Sequence, residues 1–176
     1  MKQHVHEAST DAPTYQDHRL DSIVKSAKLF EASYGLEPFR ILLVEDFITK
    51  KKILRHLEGQ HGPIQQGPLI VIAVRPTITK SLINHFFDDL QTVKKTSRDS
   101  FSSYRKWMET SINFAGPDGS SWPQRQAMTA LEVLQKAADK AGVTVKNLQG
   151  IDRTQVDQIL DLDEQGLKTF AVVSLK

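Results

Sequence analysis

Three short apolar runs, Phe39–Val44, Leu69–Val74 and Phe170–Leu175, have the length and the β-branched and aromatic content of buried strands, and long stretches of other sequence separate them. Strands that far apart cannot be joined by tight hairpins, so helices must fill the gaps and cover the sheet. The expected class is therefore α+β or α/β, in a chain of 176 residues that makes one domain the default.

The intervening sequence supplies those helices. Residues 19–32 carry Leu20, Ile23, Val24, Ala27 and Phe30 at helical spacing, with Asp17 placed to cap them. Ser33-Tyr34-Gly35-Leu36-Glu37-Pro38 interrupts the pattern, and Pro38 predicts an extended Glu37. A short basic helix follows with Lys50, Lys51, Lys52 and Arg55, read as a solvated face beside Ile53, Leu54 and Leu57. Breakers at 58–63 predict a loop before the second strand.

Thr79 is placed to cap a helix with Leu82, Ile83, Phe86, Leu90 and Val93 on one side, and Phe101, Tyr104, Met108 and Ile112 mark another. After a turn-rich break at 115–121, residues 122–141 form the longest helix, with Met128, Leu131, Val133, Leu134 and Ala138 as its apolar residues and Gly142 as its stop. Asp152-Arg153-Thr154-Gln155 has capping-box spacing and opens a last short helix through Val156, Ile159 and Leu160.

Several function classes lose support. The net charge is +2 from 23 basic and 21 acidic residues, which leaves no basic field for nucleic acid. No run of eighteen apolar residues exists, so no membrane partner is expected, and the first residues lack an apolar signal region, which points to the cytoplasm. The absence of cysteine removes disulfides and thiolate chemistry, so a redox role needs a bound cofactor. His4 and His6 have no assigned third ligand, and no metal is expected. A Gly-rich dinucleotide fingerprint, a P-loop and a Gly-x-Ser-x-Gly elbow are all missing.

Three pieces, in order, resemble the nitroreductase family. Ser33-Tyr34-Gly35-Leu36-Glu37-Pro38-Phe39 is similar to that family's Pro-Ser-Ser-Tyr-Gly-Leu-Gln-Pro-Trp segment. Trp122-Pro123-Gln124-Arg125-Gln126 is similar to a tryptophan followed four residues later by glutamine at the start of the central helix. Asn147-Leu148-Gln149-Gly150-Ile151-Asp152 matches a Pro-x-Glu-Gly-Phe-Asp pattern, with a short helix and a terminal strand behind it. The resemblance runs from about residue 19 to the end. It implies an α+β, nitroreductase-like central sheet flanked by helices, with a long central helix. Residues 1–176 would be one such domain, and 1–18 an extended or mobile arm.

The same resemblance implies an FMN-dependent oxidoreductase, a homodimer that passes hydride from NAD(P)H through FMN to a nitroaromatic or quinone-type acceptor. Ser33, Tyr34 and Gly35 would line the flavin from the neighbouring subunit, and Gln126 would lie near it from the central helix. The backbone around Gln149 and Gly150 would face the flavin N5 and O4, with Gln60 as a further polar contact. No catalytic side chain is required, because the cofactor carries the electrons while the protein orients it. Simpler readings stand beside these. Gly35 and Pro38 also suit a plain helix-to-strand turn, Trp122 suits a core position, and Gln60 and Gln126 suit ordinary surface.

Two departures weaken the phosphate end. The family's Arg-x-Ser-x-Arg/Lys grip falls on Gln3-His4-Val5-His6-Glu7, and of the cationic cluster after the last strand only Lys176 remains. Charge-assisted hydrogen bonds are worth roughly 1.5–3 kcal/mol each, so losing two or three costs on the order of 4–8 kcal/mol, about a thousandfold or more in affinity. The alternative expectation is thus a non-catalytic protein of the same fold that has lost FMN and serves as a small-ligand-binding or structural dimer.

Overall fold

The computed structural model describes residues 6–7, 18–32, 36–58, 67–95, 97–113 and 121–175. In chain order the elements are β1 (His6–Glu7), α1 (His18–Ala32), β2 (Phe39–Val44), α2 (Phe47–Leu54), β3 (Leu69–Val74) and α3 (Lys80–Lys94). They continue with α4 (Ser102–Asn113), α5 (Ser121–Ala141), β4 (Val145–Asn147), α6 (Arg153–Ile159) and β5 (Lys168–Leu175). The class is α+β. The sheet has the order β1-β2-β3-β5-β4, and every neighbouring pair is antiparallel.

Strand alternation gives the sheet two apolar faces. On one face Phe39, Ile41, Ile70, Ile72, Ala171 and Val173 pack against α1 and α5. On the other, Leu42, Val44, Leu69, Val71 and Val172 pack against α2 and α6. β3 is buried at all six positions, as a strand covered on both faces requires. A third cluster joins Leu36, Ile78, α3, α4 and Trp122 of the first turn of α5, so Trp122 is a core residue.

The helix ends follow the side chains expected of them. Thr79 Oγ1 accepts from the Leu82 N–H at 3.2 Å. Asp152 Oδ1 accepts from the N–H groups of Thr154 and Gln155 at 3.0 and 3.3 Å. The reciprocal half of that capping box is absent, because the Asp152 N–H donates instead to the His56 carbonyl at 3.0 Å.

Other expectations are corrected. Lys50 is buried, and its ammonium donates to the Gly67 carbonyl at 3.2 Å, so the basic face is made by Lys51, Lys52 and Arg55 without it. Val93, expected on the apolar side of its helix, is 75% exposed, and Met128, counted among the apolar residues of the long helix, is 49% exposed. Glu37 has φ 44°, left-handed rather than extended. Phe101 lies in a 3-10 turn before α4, and β5 begins two residues earlier than its apolar run. The Asp17 cap and most of the 58–63 and 115–121 breaks fall outside the described residues.

Candidate functional site

The short strand β4 ends in a turn that is tied down almost entirely by backbone. The Gln149 N–H donates to the Asn147 carbonyl at 3.1 Å, and the Leu148 N–H reaches the Val172 carbonyl at 2.8 Å. Leu57 and Ile151 form an isolated antiparallel bridge, flanked by Glu58 N–H to Gly150 carbonyl at 3.2 Å and Asp152 N–H to His56 carbonyl. The end of α2 and the entry to α6 are thereby fixed on either side of Gly150.

Gly150 sits at φ +79°, exposed, and a Cβ built there would make ordinary contact with Glu58 Cβ at 3.7 Å and the Glu58 carbonyl oxygen at 3.9 Å. Glycine is needed here for its backbone conformation rather than for lack of space. Among the described residues no hydrogen bond is formed by the Gly150 N–H, whereas that of Gln149 is engaged. Gly150 is exposed, and the turn therefore offers an unengaged amide donor on a well-held backbone. Such a donor suits a ring nitrogen or carbonyl oxygen that approaches edge-on, which is the fit a flavin ring would demand.

The remaining sequence candidates are placed differently. Gln126 is half-buried on α5, one turn beyond Trp122 and beside Ala127 of the first core cluster. Its helix packs on one face of the sheet, and Leu148 and Ile151 on either side of the Gly150 turn pack on the other. Ser33, Tyr34, Gly35 and Gln60 lie outside the described residues. So do Gln3, His4, Val5 and Lys176, while the backbones of His6 and Glu7 pair with Leu43 and Leu42 at the sheet edge.

Two polar groupings went unnoticed in the sequence. At the β2–β3 corner, Arg75 Nε donates to the Glu37 carbonyl at 3.1 Å, and Arg40 bonds the Glu37 carboxylate at 3.3 Å and Gln165 Oε1 at 3.2 Å. At the start of β5, the buried Asp157 carboxylate accepts from the Thr169 N–H at 2.7 Å and lies 3.5 Å from Lys168 Nζ, which also pairs with Asp163. The hydrogen bond to Asp163, with both carboxylates nearby, raises the Lys168 pKa above its ordinary value despite an opposing desolvation. Nothing in residue type or spacing announces either grouping, since the partners meet only through the sheet.

A row of aromatic rings runs along α3 and α4. Tyr104 meets Phe87 edge-on at 5.7 Å between centroids and stacks on Trp107 at 5.9 Å with 15° between planes. Arg105 lies 5.5 Å above Phe87 and bonds Glu109 and Asn84. Burial raises the Tyr104 pKa, yet Trp107 stays 56% exposed. Leu29, Phe47 and Ile48 add to the exposed large apolar side chains.

No family model and no curated protein matches the sequence. Solved structures do match in fold. A nitroreductase family protein from Streptococcus pneumoniae superposes with a TM-score of 0.65 at 13% identity, over 98% of this chain and 85% of that one. An enone reductase of gut-bacterial fatty acid saturation gives 0.68 at 14% identity, over 94% and 79%. A protein of Exiguobacterium sibiricum solved in complex with FMN gives 0.66 at 11% identity, over 99% and 83%. The chain has the nitroreductase fold. Among the described residues, no helix is long and apolar enough to cross a membrane.

Proposed function

We propose that this chain is an FMN-dependent oxidoreductase of nitroreductase type, which takes hydride from NAD(P)H and delivers it to nitroaromatic or quinone-type acceptors. The observation that carries the reading is the Gly150 turn. Its left-handed glycine and unengaged amide, on a turn held by four backbone hydrogen bonds and a bridge, suit the edge of an isoalloxazine ring. FMN, when bound, supplies the electron chemistry, and the chain's part is to orient the ring and tune it with that donor. The fold likeness supports this reading, and one of the similar proteins was solved with FMN.

A homodimer belongs to the same proposal. The helix of Gln126 and the residues flanking Gly150 pack on opposite faces of the sheet, which favours a slot shared between two copies. The exposed Leu29, Trp107 and Met128 give such a copy apolar surface to cover.

The weakened phosphate grip favours a second reading, a protein of this fold that has lost flavin and binds another small ligand or acts structurally. Flavin titration separates the two. The first reading expects purified protein with flavin absorbance, or a thermal midpoint that climbs with added FMN, because a ligand selective for the native state stabilises it by mass action. Colourless protein whose midpoint ignores excess FMN would establish the second.

A further inference from the structure

Asp46 sets the register of α2, its Oδ2 accepting from the Thr49 N–H at 2.7 Å. With the helix started there, Thr49, Lys50 and Ile53 turn inward and are buried, Ile53 within the cluster on that face of the sheet. Phe47, Ile48, Lys51, Lys52 and Arg55 are exposed. At 3.6 residues per turn these five share one arc of about 140°. Its first turn presents two consecutive large apolar side chains, Phe47 at 59% and Ile48 at 63% exposure. Three cations continue the arc. The acidic residues nearest in sequence, Glu45, Asp46 and Glu58, stand outside the helix at its two ends, and Asp46 is engaged as the cap.

An apolar tip followed by a cationic turn matches the profile of a bilayer surface, where acyl chains lie beneath anionic headgroups. A stable protein interface takes roughly 20–30 residues a side, far more than the eight of α2, whereas an apolar tip enters lipid without a partner groove. We propose that α2 is a docking surface for anionic phospholipid membranes, with Phe47 and Ile48 entering the headgroup layer and Lys51, Lys52 and Arg55 meeting its phosphates. The contact is peripheral, since among the described residues no helix is long and apolar enough to cross a membrane. The end of α2 is also tied to the Gly150 turn, through the Leu57–Ile151 bridge and the backbone bonds of Glu58 and His56. Docking thus serves an acceptor dissolved in the bilayer; that purpose rests on the flavin reading, and the docking itself does not.

The test is flotation of the full chain, without added flavin, on vesicles of phosphatidylcholine alone and of equal parts phosphatidylcholine and phosphatidylglycerol. The parent should bind the anionic vesicles about tenfold more tightly or better, and lose most of that preference as salt is raised, because exposed charges are screened. Lys51→Gln/Lys52→Gln/Arg55→Gln should bind about a hundredfold more weakly, near fivefold for each cation removed. Phe47→Ser/Ile48→Ser should keep only weak binding that salt abolishes. Both variants should unfold at the parent's thermal midpoint, since all five side chains are exposed. Absent binding, equal binding to both vesicle types, or either variant behaving like the parent would overturn the proposal. So would a parent that ignores vesicles and pairs through Lys51 and Lys52 with an acidic protein. If the parent binds anionic vesicles yet takes up no FMN, the flavin reading fails and the docking stands.

Discussion

The glycine turns at Gly67 and Gly150 and the corner around Glu37 are held by opposite means. At the first, backbone meets backbone. A Cβ on Gly67 would lie 1.9 Å from the Leu175 carbonyl oxygen, and Gly150 is pinned between the ends of α2 and α6 by main-chain bonds. At the second, side chains do the holding, with Arg75 and Arg40 reaching a non-glycine turn from neighbouring strands. Main-chain contact leaves no slack, so substitution there should be costly in stability. Half-exposed side-chain ties should matter more for local geometry than for global stability.

The comparison breaks most readily at Gly67. Gly67→Ala must push back the last strand, and a loss of about 3 kcal/mol is expected from overpacking against backbone; chemical denaturation checks it, and a neutral result would mean the close approach is easily relieved. Asp157 tests whether burial gives a side-chain tie the same weight. Asp157→Ala strands the Thr169 N–H and should cost roughly 2 kcal/mol, read from the urea midpoint.

Gly150→Ala has room for its methyl group and pays only for the left-handed backbone, so about 1 kcal/mol is expected in the same assay. The smallest effect belongs to Lys168. Its folded pKa is raised, so its contribution is whole below the ordinary value of 10.5 and fades as pH climbs through the raised one. Thermal midpoints measured across that alkaline range should fall less steeply in Lys168→Met than in the parent chain.

Legibility in the sequence followed the range of the interactions. β2 and β3 have the predicted bounds because six-residue apolar runs buried on a sheet leave little else to decide. Thr79, Asp152 and Gly142 mark helix ends through contacts within a few residues. β4 was missed because Val145–Asn147 carries one apolar side chain and exists by pairing with β5. Lys50 looked solvated because its carbonyl partner lies seventeen residues away in an unpredicted position. Of the site, Gly150 could be singled out from resemblance. The Arg75–Glu37 clamp could not, since Pro38 argued for the opposite backbone and the arginine arrives from another strand.

The position of β5 in the sheet orders the folding reaction. It is the last strand in sequence but occupies the gap between β3 and β4, with eight residues shared between two neighbours. Until it arrives, β3 keeps a bare margin and β4 has nothing to pair with, so during synthesis the early helices can assemble only around an open wound in the sheet. Pairing across such separations is slow and leaves apolar edges exposed meanwhile. Chaperone demand should therefore be set by the interval before residues 168–175 become available.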